Sequence, residues 1–505
     1  MSRTQLIPFY LAYFTIGLLA VDSVATTFLM KDRFTMLSAA ELITIGIYSG
    51  LPWSLKIGIG AILQYIRRAA AHVAKSDILQ PVVQLVAGLA LSAVGGSMSV
   101  GILTADVLPA TGVELVVPLA VSGFLISLGV VVADLNADSE VVRLASILDS
   151  GEGKILARAQ ATSRLVQVVG GFIAALLSGY IATHLSTATV LTVARIFVPA
   201  MAAVVIAVSL IAGLLQVTKD VPTGTSEDDV VAKRITRDGL LGAGLILAAI
   251  LFGDGNTLYI AAAQSLVLIY LFGRLPNLSL SLVATLFGLY LLRISPGVGP
   301  GMTWWITDAE HGLGFTEVQL GHMRIYSGLA DLALLSLGTY MAHLPPVRIL
   351  AGAILVWAGI DLLPIATYYG YVGSWAINFD SAAVSALAGL TMIPLGVLIA
   401  RTVPNNGARS IYLATTATLM NAALVISDVW TTHIVEKYPV ERGNYGNLGH
   451  LLIYSWVAFV LLAVVGLSLI AAAARRDARL RKQVEKESDV ETLLEEVKKP
   501  EQPAE

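Results

Sequence analysis

No cysteine occurs anywhere in the 505 residues, which excludes disulfides and thiolate metal sites. Charge is scarce as well. Asp, Glu, Lys and Arg together make up 13% of the chain, and the formal net charge of -3 predicts no polyanionic partner, nucleic acid included. Apolar residues fill the sequence instead: 56% are hydrophobic and the mean hydropathy is +0.77, more than a soluble core can absorb. Apolar runs of about twenty residues recur, each close to the length a helix needs to cross roughly 30 Å of hydrocarbon. The expectation is an all-α polytopic membrane protein embedded in a lipid bilayer. The first run has no small-residue cleavage site behind it and reads as a retained helix, not a signal peptide.

Six spans precede a polar break, near 6–30, 42–66, 79–104, 113–133, 157–183 and 188–216. The break, VTKDVPTGTSEDDVVAKRITRDG, reads as a cytoplasmic linker. Two shorter spans follow at 239–253 and 257–273, joined by Gly-Asp-Gly-Asn, whose chemistry suits a tight turn. Six more lie near 278–306, 320–343, 347–370, 381–402, 409–433 and 449–474. The predicted organisation is a six-helix bundle over 1–216, a linker over 217–238, an inserted transmembrane hairpin over 239–273, a second six-helix bundle over 274–474 and a charged tail over 475–505, about 14 helices in all.

Positive charge gives an independent orientation, because cytoplasmic loops carry the Lys and Arg excess. With the N-terminus inside, the even-numbered loops hold Arg67, Arg68 and Lys75, then Arg143, Lys154 and Arg158, then Lys219, Lys233, Arg234 and Arg237. Arg274, Arg348, Arg401 and Arg409 continue the pattern, against Lys31, Arg33, Arg324, Lys437 and Arg442 on the other side. Both termini are predicted cytoplasmic, in the cell's inner (plasma) membrane. The tail from Arg475 reads as a solvated cytoplasmic segment.

Two six-helix halves around a cytoplasmic linker is the organisation of major facilitator transporters, whose halves rock about a site near the bilayer midplane. Local residues sharpen this. In residues 13–60, Tyr13, Phe14, Gly17 and Leu18 open a helix; Lys31, Asp32, Leu37, Ser38, Ala40, Glu41 and Leu42 form a loop; Leu51, Pro52, Trp53 and Lys56 follow in the next helix. This succession resembles the opening of the folate-biopterin transporter family, although Ile57 replaces the proline expected after the lysine. Further on, RISPGVGPGMTWWITDAEHGLGF resembles a family stretch through Pro296, Met302, Trp304, Trp305, Leu313, Gly314 and Phe315, followed by Leu320, Gly321 and Arg324. DLNADSEVVRLA, residues 134–145, resembles the family's Asp-x-x-x-Asp segment after the fourth helix. The general facilitator motif after helix two is reduced to Gly60, Arg67 and Arg68, with Gln64 where an aspartate is expected. The resemblance implies a secondary transporter, and as its small-molecule substrate a folate or pterin.

Lys56 poses the sharpest question, since an ionisable group at helix centre costs about 2.5–3.5 kcal/mol on insertion scales. Two readings stand: a cation in the translocation cavity beside Trp53, or a long side chain snorkelling to the cytoplasmic interface. By analogy with the fold, in which the first two helices of each three-helix unit line the path, Asp22, Arg164, Asp331 and Asp428 are candidate cavity residues. Arg195 and Asp361, on peripheral helices, read as structural pairing or snorkelling. Carboxylates in the bundle suit a carrier coupled to protons, with Asp22 the expected proton site. RISPGVGPG, 293–301, packs prolines and glycines too densely for a regular helix and predicts a broken helix lining a cavity. On that reading Trp304 and Trp305 offer stacking surface to a flat ring; as a plain outer loop they would be interfacial anchors.

Enzyme signatures are missing. The histidines of HGLGFTEVQLGH lack the spacing of a helical metal pair, and GVGPG does not follow a strand as a phosphate loop would. No metal or cofactor is expected, and without a nucleotide-binding domain any pumping is secondary. The alternatives are a non-transporting membrane scaffold or assembly factor on the same fold, or a facilitator for an unrelated small molecule.

Overall fold

Helices account for nearly all of the structure, a computed structural model that describes residues 7–71, 79–106, 111–148, 154–211, 237–242, 244–249, 252, 256–274, 279–340, 345–402 and 409–498. Most of the 217–238 linker and the Gly-Asp-Gly part of the hairpin turn lie outside the described residues, as do the side chains of Gln64, Arg67 and Arg68.

The first half runs α1 (Ile7–Leu18), a 3-10 turn Leu19–Asp22, α2 (Ser23–Asp32), α3 (Ala39–Ser54), α4 (Lys56–Ala71), α5 (Leu79–Leu103), α6 (Val113–Leu148) and α7 (Lys154–His184). It closes with α8 (Thr187–Thr192), a π turn Val193–Phe197 and α9 (Val198–Ile211). Residues 237–242 and 244–249 are helical and precede α10 (Thr257–Arg274). The second half holds α11 (Leu280–Arg293), α12 (Pro300–Thr307), α13 (Glu317–Tyr340), α14 (Pro346–Ile360), α15 (Leu362–Tyr368), α16 (Trp375–Thr402), α17 (Arg409–Lys437) and α18 (Leu448–Lys498). Seven helical stretches among the described residues are long and apolar enough to cross a membrane, from Ile7–Asp32 to Leu448–Leu480. The chain is an all-α integral membrane protein.

Local chemistry explains the start of α3. Ser38 and Glu41 form a reciprocal capping box, in which the Glu41 backbone N–H donates to Ser38 Oγ at 3.2 Å and the Ser38 N–H to Glu41 Oε2 at 2.8 Å. The Leu-Ser-x-Ala-Glu motif is thus a helix start, anchored by the fully buried Leu37. Pro52 lacks a backbone N–H, and three residues later the helix relaxes at Leu55, with ψ near 6°, before α4 begins at Lys56. Span 278–306 is two helices, interrupted over 294–299, where Gly299 turns the chain at φ 70. The interruption is well bonded: the Gly297 N–H donates to Thr431 Oγ1 at 2.8 Å, and Ser455 Oγ donates to the Pro296 carbonyl at 2.6 Å. Charge does not stop two other helices. α6 runs on past residue 133 to Leu148, and the tail continues α18 to Lys498.

Within the halves α5 packs on α6, α1 on α7, α13 on α16 and α11 on α18. Between them α3 packs on α17 and α7 on α13. The second contact is close because Gly179 faces Gly321; a β-carbon built on Gly179 would stand 2.8 Å from the Gly321 Cα. α10 packs against α17, and its Ile260, Val267 and Leu268 join one apolar cluster with Leu51, Leu286 and Met420. On one face of the bundle, Arg442 donates to the carbonyls of Met30, Phe34, Thr35 and Leu37 at 2.9–3.3 Å, and Lys31 Nζ to the Thr307 carbonyl at 3.0 Å. The two halves are bonded together on that face.

Candidate functional site

Three of the sequence motifs meet inside the first half. Lys56, the first residue of α4, places its ammonium against the Asp134 carboxylate of α6 and 4.9 Å from the centre of the Trp53 ring. Asp134 and Asp138 are four residues apart and so share one face of α6. The Tyr13 hydroxyl of α1 donates to Asp138 Oδ1. Arg164 of α7 lies 4.0 Å from Asp138 Oδ2 and 5.9 Å from the Tyr13 ring centre, and donates to Gln167 Oε1 at 3.0 Å.

Exposure divides this cluster. The Lys56 and Asp134 side chains are 5% and 2% exposed, whereas Arg164 and Asp138 are 54% and 41% exposed. A sealed ion pair therefore continues into an accessible one. Two cations face two carboxylates, so the cluster is neutral when all four are ionised. Lys56 does not snorkel: its nitrogen is spent on a buried partner within the bundle.

The other predicted residues sit elsewhere. Asp22 is bonded to Arg195 Nε at 2.6 Å, while Arg195 also donates to Thr26 Oγ1 at 3.0 Å and to Ser99 Oγ. This group ties α2 and α5 to the π turn, a helix irregularity of the kind that often marks functional positions. Trp304 is buried beneath the Arg442 guanidinium at 4.0 Å, and Trp305 meets Tyr368 edge-on at 5.7 Å, so both belong to the face that Arg442 closes. Asp428 is half-buried on α17. Asp331 lines a cavity of about 200 Å³ between the halves, together with Ser23 of α2, Phe172 of α7, Arg324 and Ser327 of α13 and Ser385 of α16. Lys56, Asp22 and the α11–α12 interruption therefore do not converge on one point.

Sequence reasoning passed over Asp134, Asp138 and the paired role of Tyr13. The Asp-x-x-x-Asp spacing was the available signal, but the hydropathy boundary at 133 left it outside the span.

Residues 84–491 match the model of the BT1 family. The chain belongs to this family. The match includes the stretches 134–145 and 293–324 singled out in the sequence, and residues 13–60 lie outside it. No curated protein matches the chain. Among solved structures, a peptide transporter POT in complex with sulfate is similar at TM-score 0.64 and 15% identity, covering 93% of this chain and 94% of that one. The xylose transporter XylE from E. coli, in a partially occluded inward open conformation, is similar at TM-score 0.54 and 14% identity over 91% and 97% of the two chains. The human organic anion transporter MFSD10 (TETRAN) reaches TM-score 0.52 at 13% identity over 92% and 99%. At such identities the likeness shows the fold, which for this BT1-family chain is that of the major facilitator transporters. Family and fold are those of secondary transporters.

Proposed function

We propose that the protein is a secondary active transporter that moves a small organic anion, a folate or pterin, by alternating access and in company with protons. The observation that carries this reading is the graded cluster of Lys56, Asp134, Asp138 and Arg164. Neutral when fully ionised, it becomes singly positive when Asp138 takes a proton and releases Arg164. One carboxylate of a substrate bound within the bundle then restores its neutrality. Because net charge inside a bundle is costly, proton and anion favour each other's binding, which is the thermodynamic content of symport. Lys56 and Asp134 are sealed against each other, which leaves the more exposed Asp138 as the exchangeable site. Asp22, bound by Arg195, serves as a strut between helices.

The Lys and Arg distribution supports an orientation with both termini in the cytoplasm of a cell's inner membrane. Two six-helix bundles with the 239–273 hairpin between them in sequence remain the working division. Reporter fusions after residues 228 and 480 are expected to read cytoplasmic; a signal from the opposite side would overturn the orientation.

The function is tested in proteoliposomes with labelled folate and labelled pterin. Uptake driven by an imposed pH gradient, and abolished by a protonophore, is the expected result. Uptake indifferent to pH and membrane potential would remove the coupling, and no uptake or binding of either compound would remove the substrate.

A further inference from the structure

The inter-half cavity carries two charges that the cluster does not use. Arg324, Ser327, Gly328 and Asp331 all line it, and their spacing of three, four and seven residues puts them on a single stripe of α13. At 1.5 Å rise per residue the two charged positions stand about 10 Å apart along the helix, too far to pair with each other. Neither side chain has a hydrogen-bond or ion-pair partner among the described residues, and Asp331 Oδ1 is buried without one. Space for that carboxyl is built in: a β-carbon on Gly389 of α16 would come within 1.9 Å of Asp331 Oδ1. Ser327 Oγ, between the charges, is 2.9 Å from Ser381 Oγ of α16.

Arg324 is an exposed cation at one end of the cavity, whereas Asp331 carries a carboxylate oxygen buried without a partner, and such a group inside a bundle is costly unless something else neutralises it. We infer that this cavity binds a compact two-ended molecule, with a carboxylate on Arg324 and an N–H donor edge, ammonium or aminopyrimidine, on Asp331. The inference rests on the transporter reading and names the ends of the substrate. At about 200 Å³ the cavity is smaller than the roughly 300–1,000 Å³ that drug-sized ligands occupy, so a single fused ring or a short chain fits. Arg324 supplies a planar fork matched to a carboxylate, and Asp331, whose Oδ1 is packed away against Gly389, offers its other oxygen to an N–H donor.

Binding to the purified full-length protein tests this with three probe pairs that differ only at one end. Pterin-6-carboxylate is compared with pterin, and 6-aminohexanoate with both hexylamine and hexanoate. The two-ended member of each pair is expected to bind about tenfold more tightly or better, the worth of one hydrogen bond to a charged group. Arg324→Gln should erase the preference for the carboxylate, and Arg324→Lys should keep part of it. Asp331→Asn should erase the preference for the amine, and Gly389→Ala, which leaves both charges in place, should do the same. Equal binding within each pair, or preferences that survive Arg324→Gln and Asp331→Asn, would overturn the inference while leaving pterin transport standing. Binding of 6-aminohexanoate with both end preferences, but no binding of any pterin or folate, would uphold the cavity assignment and remove the substrate proposed above.

Discussion

The ammonium of Lys56 and the carboxylate of Asp134 form a sealed ion pair between positions 78 residues apart, one at the start of α4 and the other inside α6. Burying two charges together is tolerable because each neutralises the other; removing one strands its partner in low dielectric at a cost of roughly 3–5 kcal/mol. Lys56→Met alone should therefore lower the thermal stability of the detergent-solubilised protein, and adding Asp134→Asn should recover most of the loss. Scanning fluorimetry on the two variants checks this; a double variant no better than the single would mean that the pair is not the stabilising unit.

Asp138 and Asp22 separate by the kind of activity they support. Asp138→Asn should hold uptake driven by a pH gradient at the level of protein-free vesicles while exchange of labelled for unlabelled substrate continues, since exchange does not require the proton to leave an empty carrier. Asp22→Asn breaks the bond to Arg195 and should instead reduce membrane abundance, with both activities falling in step. Loss of both activities in Asp138→Asn at normal abundance would assign Asp138 to binding alone.

Arg442 clamps one face of the bundle, the outer face in the proposed orientation, through four backbone carbonyls. Hydrogen bonds to a charged group contribute about 1.5–3 kcal/mol each, so Arg442→Ala should shift the equilibrium toward the outward-open state by about tenfold or more. The natural absence of cysteine makes the assay clean. A single Ser23→Cys in the inter-half cavity should react slowly with an impermeant maleimide added outside, and faster when Arg442→Ala is also present. Equal rates would show that the clamp does not control access.

The loop after α12 should respond to acid. Burial acts to raise the Asp308 carboxyl, but the Glu310 N–H, the Tyr445 hydroxyl and the His311 N–H together hold it below the usual carboxylate range. A folded-state value below the unfolded one means that Asp308 stabilises the fold above the unfolded value, about 3.9, and that this contribution fades as pH falls through the lower folded one. Asp308→Asn should flatten that part of the stability curve. Thermal melts of both proteins from pH 6 downward measure it, and parallel curves would remove Asp308 as the source.

What the sequence determined by itself is what each segment decides alone. Composition places the chain in lipid because apolar surface of that extent has no other solvent. The interruption before Pro300 was legible because it arises within a few residues of backbone. Pairing was not legible. Hydropathy ended the fourth span at residue 133 because Asp134 and Asp138 are costly to insert as isolated groups, yet α6 carries both onward to positions where Lys56, Arg164 and Tyr13 meet them. Trp304 likewise read as stacking surface for a ring, and the fold covers it with Arg442 from residues 138 positions later. Hydropathy measures one segment against its solvent, whereas an ion pair or a stacked cation is an energy shared by two segments, and only the tertiary structure decides which two.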